Sequence, residues 1–305
     1  MKIVIATSWT IQEVDFDNPS TTQVVHADSG VYFGIDKHCG KYYFGMRNDT
    51  NGKGSGTILV CDENLKVIEE LVPSFNLPDI HQIRFFNDRL FITCTLGDRI
   101  LIYDPDQKNW EWWNPISTED IPITPGHEDN LLHINTLTVY KDHLYVGCNG
   151  HQNGSLIHSF DSDLNFVKEW KIGKQIHNIF FVDDVLHVVS SEDECIRREP
   201  DEVVTVIKNV VDKGHIALNF LFAGTAPPDF TQQEEGIYPR GFIETDDSYY
   251  IGISMRCVSS QRDTGNSYIA KYDKEWILQD VIELFNTGQL SDMISLKDLT
   301  RINNQ

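Results

Sequence analysis

Three stretches of the chain open almost alike: Asp79-Ile80-His81-Gln82-Ile83, Leu131-Leu132-His133-Ile134-Asn135 and Gln175-Ile176-His177-Asn178-Ile179. After each histidine comes an apolar run, a two-residue polar turn and a second apolar run. The turns are Asn87-Asp88, Lys141-Asp142 and Asp183-Asp184. A fourth copy, Tyr238-Pro239-Arg240-Gly241-Phe242, carries arginine where the histidine stands and turns at Asp246-Asp247. An internal repeat constrains the fold more than any other feature, because each unit must bury its apolar faces against the next.

Each second run leads through a polar turn to a third that ends in aspartate, as in Thr57-Ile58-Leu59-Val60-Cys61-Asp62 and Tyr268-Ile269-Ala270-Lys271-Tyr272-Asp273. A fourth run follows, as in Asn109-Trp110-Glu111-Trp112-Trp113. Four short strands per unit, in units of roughly 45 to 60 residues, predict an all-β propeller of four-stranded antiparallel blades. Five blades are read directly, at about 31–72, 80–114, 132–171, 175–211 and 238–284, within a single domain spanning 1–305. Six is the alternative, the sixth assembled from the N-terminal strand and the irregular stretch 212–237. In the five-bladed ring the strand Lys2–Ala6 closes the last blade, and the tail from Leu290 to Leu299 forms a helix.

The pattern resembles the broad superfamily of propellers that includes the NHL-repeat, gluconolactonase-type and peptide-amidating-lyase proteins. The resemblance is carried most clearly by His133-Ile134-Asn135-Thr136-Leu137 and Asp142-His143-Leu144-Tyr145-Val146. It implies that the first strand of each blade lines a central channel and that its beginning lies on the binding face. It also implies that axial histidines can hold a metal. Fold alone names no activity.

On that expectation His81, His133 and His177, spaced 52 and 44 residues apart, converge on the axis. Three neutral imidazoles with open positions left for substrate suit zinc, iron or copper. His26 and His215 are further candidate ligands. Register sets one limit. His81 and His177 each stand 7 residues before the turn aspartate but His133 stands 9 before it, so Asn135 holds the equivalent place and His133 sits one pleat higher. The alternative is that the imidazoles hydrogen-bond neighbouring backbones and lock the ring.

Arg240, with Tyr238 beside it, can clamp an anion in bidentate fashion or bond channel carbonyls. The loop Pro125 to Asn130 runs directly into His133, so His127, Glu128 or Asp129 can act as general base or form a solvated acidic turn. The loop from Ala223 to Gly236 is a candidate lid. The glycines of 51–56 lack the order of a phosphate loop and predict a hairpin. Trp110 and Trp112 alternate against Trp113, as packing between blades requires. His143 and His187 are read as structural, and His38, His151 and His158 as turn or surface residues.

The formal net charge of −21, without a basic run, argues against nucleic acid and disfavours anionic membranes as partners. No stretch approaches the roughly 18 apolar residues of a membrane span. Six cysteines without a CxxC pair predict free thiols in a reducing cytoplasm. Two functions are consistent with this pattern. One is a metalloenzyme (lyase, oxidase, oxygenase or hydrolase) acting on a small, anionic molecule. The other is a metal-free platform for a carbohydrate or protein partner. A glycosidase needs two axial carboxylates, and no acidic residue repeats at the strand openings.

Overall fold

The computed structural model describes residues 1–27, 30–48, 55–119, 129–151, 154–207, 236–255, 265–285 and 287–296. The N-terminal strands are β1 (Lys2–Thr7), β2 (Thr10–Asp15) and β3 (Gln23–Ala27). Blade one is β4 (Val31–His38), β5 (Lys41–Arg47), β6 (Gly56–Cys61) and β7 (Val67–Leu71). Blade two is β8 (Ile80–Phe86), β9 (Arg89–Cys94), β10 (Arg99–Asp104) and β11 (Asn109–Trp113). Blade three is β12 (Ile134–Tyr140), β13 (His143–Cys148), β14 (Leu156–Phe160) and β15 (Phe166–Lys171). Blade four is β16 (Ile176–Val182), β17 (Val185–Ser190), β18 (Cys195–Arg198) and β19 (Glu202–Val206). Blade five is β20 (Ile237–Glu244), β21 (Ser248–Met255), β22 (Ser267–Asp273) and β23 (Leu278–Leu284). The last strand, β24 (Leu290–Ser295), pairs with β1 to complete a sixth sheet in the order β24-β1-β2-β3.

The ring therefore has six blades, and the five-bladed expectation is corrected. Blade six takes three strands from the N-terminal end and its innermost strand from the C-terminal end. The N-terminal strand does not join blade five, whose four strands are complete without it. The helix expected over 290–299 is corrected as well, since Leu290–Ser295 is extended and hydrogen-bonded to β1 from Ile3 to Thr7. Leu290 and Met293 imitate a helical stripe, but Ser291 and Asp292 between them are buried too, as a strand covered on both faces requires. The stretch expected to build a sixth blade lies outside the described residues up to 235.

The repeat's turns have a clear physical basis. Asn87-Asp88, Lys141-Asp142 and Asp183-Asp184 all adopt positive φ, which gives the two-residue hairpins whose twist matches the strands. Blade five differs, closing its turn through the Thr245 hydroxyl and the Ser248 amide. The aspartates that end the third strands accept backbone N–H groups of the following turn, as Asp161 does from Asp163 and Asn165, and Asp273 from Glu275 and Ile277.

The core sits between the blades. Six apolar clusters of buried residues each straddle one seam, for example Ile58 and Tyr43 of blade one with Ile92 and Leu101 of blade two. Trp110 and Trp112 pack on that seam while Trp113 packs against Phe91 and Phe160 on the next, as their alternation predicts. Cys61, Cys94, Cys148 and Cys195 are free and buried and Cys39 is free and exposed. Among the described residues no helix is long and apolar enough to cross a membrane.

Every innermost strand carries a register shift in its pairing near its start, and a bulge leaves a backbone group without a ladder partner. Side chains of the preceding blade take up these groups. Gln82 Oε1 accepts from the Leu137 amide at 2.6 Å, Asn178 Oδ1 from Gly241 at 2.6 Å and Asp292 Oδ2 from Ile35 at 3.0 Å. Asp292 also receives Gln82 Nε2 and the Arg84 guanidinium, each at 3.3 Å, and is 1% exposed. Removing it takes the counter-charge from the half-buried Arg84 guanidinium, which keeps only the Ile35 and Ile83 carbonyls, and leaves the buried Ile35 amide without its acceptor. We expect Asp292→Ala to lower unfolding free energy by about 3 kcal/mol in urea titrations, whereas Asp163→Ala at an exposed turn changes it by less than about 0.5 kcal/mol.

Candidate functional site

The blade openings align through one repeated contact. Thr95 Oγ1 donates to the Ile134 carbonyl at 3.0 Å, Ser191 Oγ to Pro239 at 2.7 Å and Ser254 Oγ to Leu290 at 3.4 Å. Ile134, Pro239 and Leu290 are therefore equivalent, and Ile80 and Ile176 match them by register. The residue after each forms one ring around the channel mouth: His81, Asn135, His177, Arg240 and Ser291, completed by Phe33 in blade one. The residue before each forms a second ring one pleat higher: Asp79, His133, Gln175, Tyr238 and Gln289. Arg240 thus holds the histidine place in blade five, and His133 belongs to the upper ring, as the spacing requires. Asp79, His133 and Gln175 all adopt left-handed backbone conformations that tip the strand entrances over the mouth.

The side chains meet across the blades. The His81 and His133 rings lie 5.1 Å apart, edge to face, and Phe33 lies 5.1 Å from His81. Arg47, at the end of β5, covers Phe33 at 4.0 Å and pairs with Asp79 of the next blade. Asp79 in turn accepts from His81 Nε2 at 3.3 Å. His177 lies 4.9 Å from Tyr238, and the Arg240 guanidinium 4.8 Å from that same ring. Asp98 carboxylate oxygens hold the backbone amides of Leu132 and His133 at 2.9 and 2.8 Å, which anchors the upper ring.

Hydrogen-bond partners fix which nitrogen of each imidazole carries the proton. His177 Nδ1 faces the Gln175 carbonyl and Ser191 Oγ, both at 2.9 Å. Ser191 has committed its proton to Pro239, so His177 Nδ1 donates and Nε2 keeps its lone pair. His133 Nδ1 faces the Asn130 side-chain nitrogen, a donor, at 3.3 Å, so its proton sits on Nε2. His81 donates from Nε2 to Asp79, and His151 donates from Nε2 to the Asn130 carbonyl at 2.8 Å.

Burial is the chief cause that lowers the pKa of all three axial histidines, and Arg240 adds to it in each. His133 and His177 lie well below the ordinary histidine value. Burial opposes the charge on Asp79, but His81 and Arg47 outweigh it and hold the carboxyl well below the usual carboxylate range. With the His81 ring kept neutral, Arg47 is the cation responsible.

The remaining candidates separate clearly. His26 lies on β3, the outermost strand of blade six, facing Tyr32 at 5.9 Å, and takes no part in the axial cluster. Glu128, His127 and His215 fall outside the described residues, as do 51–54 and the expected lid up to 235. His187 is buried against Phe180 and His143 closes on the Lys141 carbonyl, both structural. His38 stacks on Phe85 at 4.1 Å. His151, read as a turn or surface residue, follows β13 at positive φ and lies 5.1 Å from His133. Asp79, Arg47, Asn130 and Ser191 were not signalled as site residues. The lock across blade openings, which the sequence offered as the alternative role of the histidines, is made by Gln82, Asn178 and Asp292.

A transition metal needs three lone pairs aimed at one point. His133 Nδ1 faces an amide donor and His81 Nε2 is directed to Asp79, and among the described residues no group of three or more His, Cys, Asp or Glu side chains stands so as to hold a metal ion. The geometry as it stands does not fit zinc, iron or copper.

No protein-family model matches the sequence, and no curated protein matches it significantly. Solved structures do resemble it. A chain of the nidogen/laminin complex aligns with TM-score 0.65 at 10% identity, covering 96% of this chain and 97% of that one. A protein of unknown function from Bacteroides caccae gives TM-score 0.61 at 10% identity, with 96% and 97% covered. The chain is a β-propeller. A quinoprotein alcohol dehydrogenase-like protein from Bacteroides thetaiotaomicron gives TM-score 0.51 at 11% identity, with 97% and 78% covered. At these identities the likeness is one of fold.

The depressed histidines set a pH dependence. Below about pH 6.5 the unfolded chain protonates these imidazoles while the folded propeller keeps them neutral, so protons favour unfolding. We expect stability to fall as pH drops below 6.5, by up to about 1.4 kcal/mol per pH unit for each histidine. Urea titrations from pH 8 to 5 measure it, and His177→Gln should flatten the slope.

Proposed function

We propose that the chain is an enzyme that acts on a small anionic molecule at the axial mouth by acid–base chemistry of its imidazoles. The observation that carries this reading is the convergence of His81, His133 and His177 with Arg240 at the openings of four consecutive blades. Arg240 is the group that holds the anion, since a guanidinium matches a carboxylate or phosphate with two parallel hydrogen bonds. His177 is the base: with Nδ1 donating to the Gln175 carbonyl, its Nε2 carries the lone pair, 3.5 Å from the Tyr238 hydroxyl, and burial keeps it unprotonated at neutral pH. Tyr238 packs against both and donates to Gln175 Oε1 at 3.1 Å, which holds the His177–Arg240 pair in place. His133, protonated on Nε2, is the complementary donor.

A metal-dependent form of this reading, with zinc, iron or copper on His81, His133 and His177, requires those rings to leave their present partners. Elemental analysis of tag-free protein distinguishes the two forms: about one metal per chain, lost in His81→Ala and His177→Ala, supports the metal form.

The reading itself is tested by thermal shift and calorimetry with small carboxylates and phosphates. We expect saturable binding by the wild type and a loss of about tenfold or more in Arg240→Met. A screen of carboxylic substrates by mass spectrometry should then give turnover that His177→Gln abolishes. Binding without turnover would make the protein a binding module, and no binding at all would refute an axial anion site.

A further inference from the structure

The first strand of each blade runs from the mouth to the opposite face. The two-residue turns and the starts of the fourth strands therefore lie on that far face. Val139, Phe166, Val167, Val185 and Val203 all sit there, in the adjacent blades three and four, at 38% to 57% exposure. Ile277, 59% exposed, continues the set in blade five. Exposed apolar side chains scattered singly need no explanation, but a group on one sector of one face does.

The turn ends of these blades abut. Tyr140 of blade three stacks on Phe181 of blade four with ring centroids 4.0 Å apart, and Lys141 reaches Asp184 at 2.6 Å across the same seam. Farther out, Lys168 of β15 meets Glu199 of blade four at 3.1 Å. Blade five joins through the 3.6 Å stack of Phe180 on Phe242.

The charge of the sector is one-sided. Lys141, Lys168, Arg198 and Lys274 are each committed within the chain, to Asp184, Glu199, Glu202 and Glu244. Asp142, Asp163, Asp183 and Glu275 are exposed, and among the described residues no cationic side chain pairs with them. The surface thus presents aliphatic groups and Phe166 among unanswered carboxylates.

We infer that the turn face of blades three to five is a docking surface for a cationic, amphipathic segment of another protein. The segment's apolar side chains cover the valines and Phe166, and its lysines or arginines meet the carboxylates around them. That is the division between apolar centre and polar rim found in protein interfaces. A second copy of the chain brings like charge to this face, and an anionic lipid surface does the same. The inference is independent of the axial site, which lies at the other end of the channel.

Three peptides of equal length serve as probes of the full chain, by fluorescence anisotropy at physiological ionic strength. One is an amphipathic Leu/Lys helix, one a Ser/Lys peptide of equal charge and one a Leu/Glu helix. The Leu/Lys peptide is expected to bind saturably, about tenfold or more tighter than Ser/Lys, and Leu/Glu not at all. Phe166→Ser with Val185→Ser should weaken that binding about tenfold or more at nearly unchanged Tm, because both side chains face solvent. Val72→Ser with Phe285→Ser, at the mouth ends of fourth strands, should leave it unaltered. Absence of Leu/Lys binding, equal binding of the two cationic peptides, or equal loss in both double variants overturns the inference. Sedimentation of the free chain and flotation with phosphatidylserine vesicles cover the other occupants. Self-association or vesicle binding that Phe166→Ser with Val185→Ser abolishes gives the face to a second copy or to lipid, and overturns the inference as well.

Discussion

Everything at the axis depends on side-chain-to-backbone bonds that cross the seams. The chain forms six wedges, and each wedge taken alone has two apolar faces and a bulged inner strand with backbone groups to spare. Seam clusters press the wedges together without fixing their height or angle, because apolar contact has no direction. Gln82, Asn178 and Asp292 supply the direction, each reaching from one blade into the bulge of the next. Residues from blades that are far apart in sequence therefore arrive at the same level of the channel. Without that indexing, His81, His177 and Arg240 would belong to a repeat but not to a site.

The electrostatics of the mouth run against those of the molecule. The whole chain carries −21, which should repel anions. Yet the mouth holds Arg47 and Arg240 beside imidazoles that burial keeps neutral. Solvent charges are screened beyond about 8 Å at physiological ionic strength, and buried ones much less. The guanidiniums therefore govern the field a small molecule meets once inside, while the acidic exterior bears on solubility and encounter. Arg47 is occupied in keeping Asp79 ionised, and it spans the seam between blades one and two.

Much of this was legible in the sequence because a period-2 apolar pattern and a two-residue turn are local signals. Five blades could be bounded within a few residues, and the one-pleat offset of His133 followed from counting alone. Six blades stood as the alternative to five, but the make-up of blade six escaped because its inner strand lies about 280 residues from its partner in the chain, and no local pattern announces such pairing. Leu290, Met293 and Ile294 also fall at helix-like spacing. The site was legible only where a residue recurred at a repeat position. Arg47 acts through a partner in the next blade, and Ser191 and His151 through partners across the opening of their own blade, so nothing beside them in the chain marks them, while Asn130 touches His133 three residues on. Among the described residues no group stands so as to hold a metal ion, for a related reason: sequence shows which imidazoles share a repeat position, but not which nitrogens are already engaged.

Blade six also sets a timetable for synthesis. The three N-terminal strands emerge first, with Ile3, Val4 and Ile5 on a strand whose inner edge has no partner until residues 290–295 follow. At a synthesis rate of about 5 to 20 residues per second, that edge stays open for tens of seconds. An apolar strand with a free edge is the kind of surface that recruits other chains. The propeller is thus exposed to misassembly for as long as that edge waits, and the ring of side chains at its axis is complete only once β24 has paired with β1.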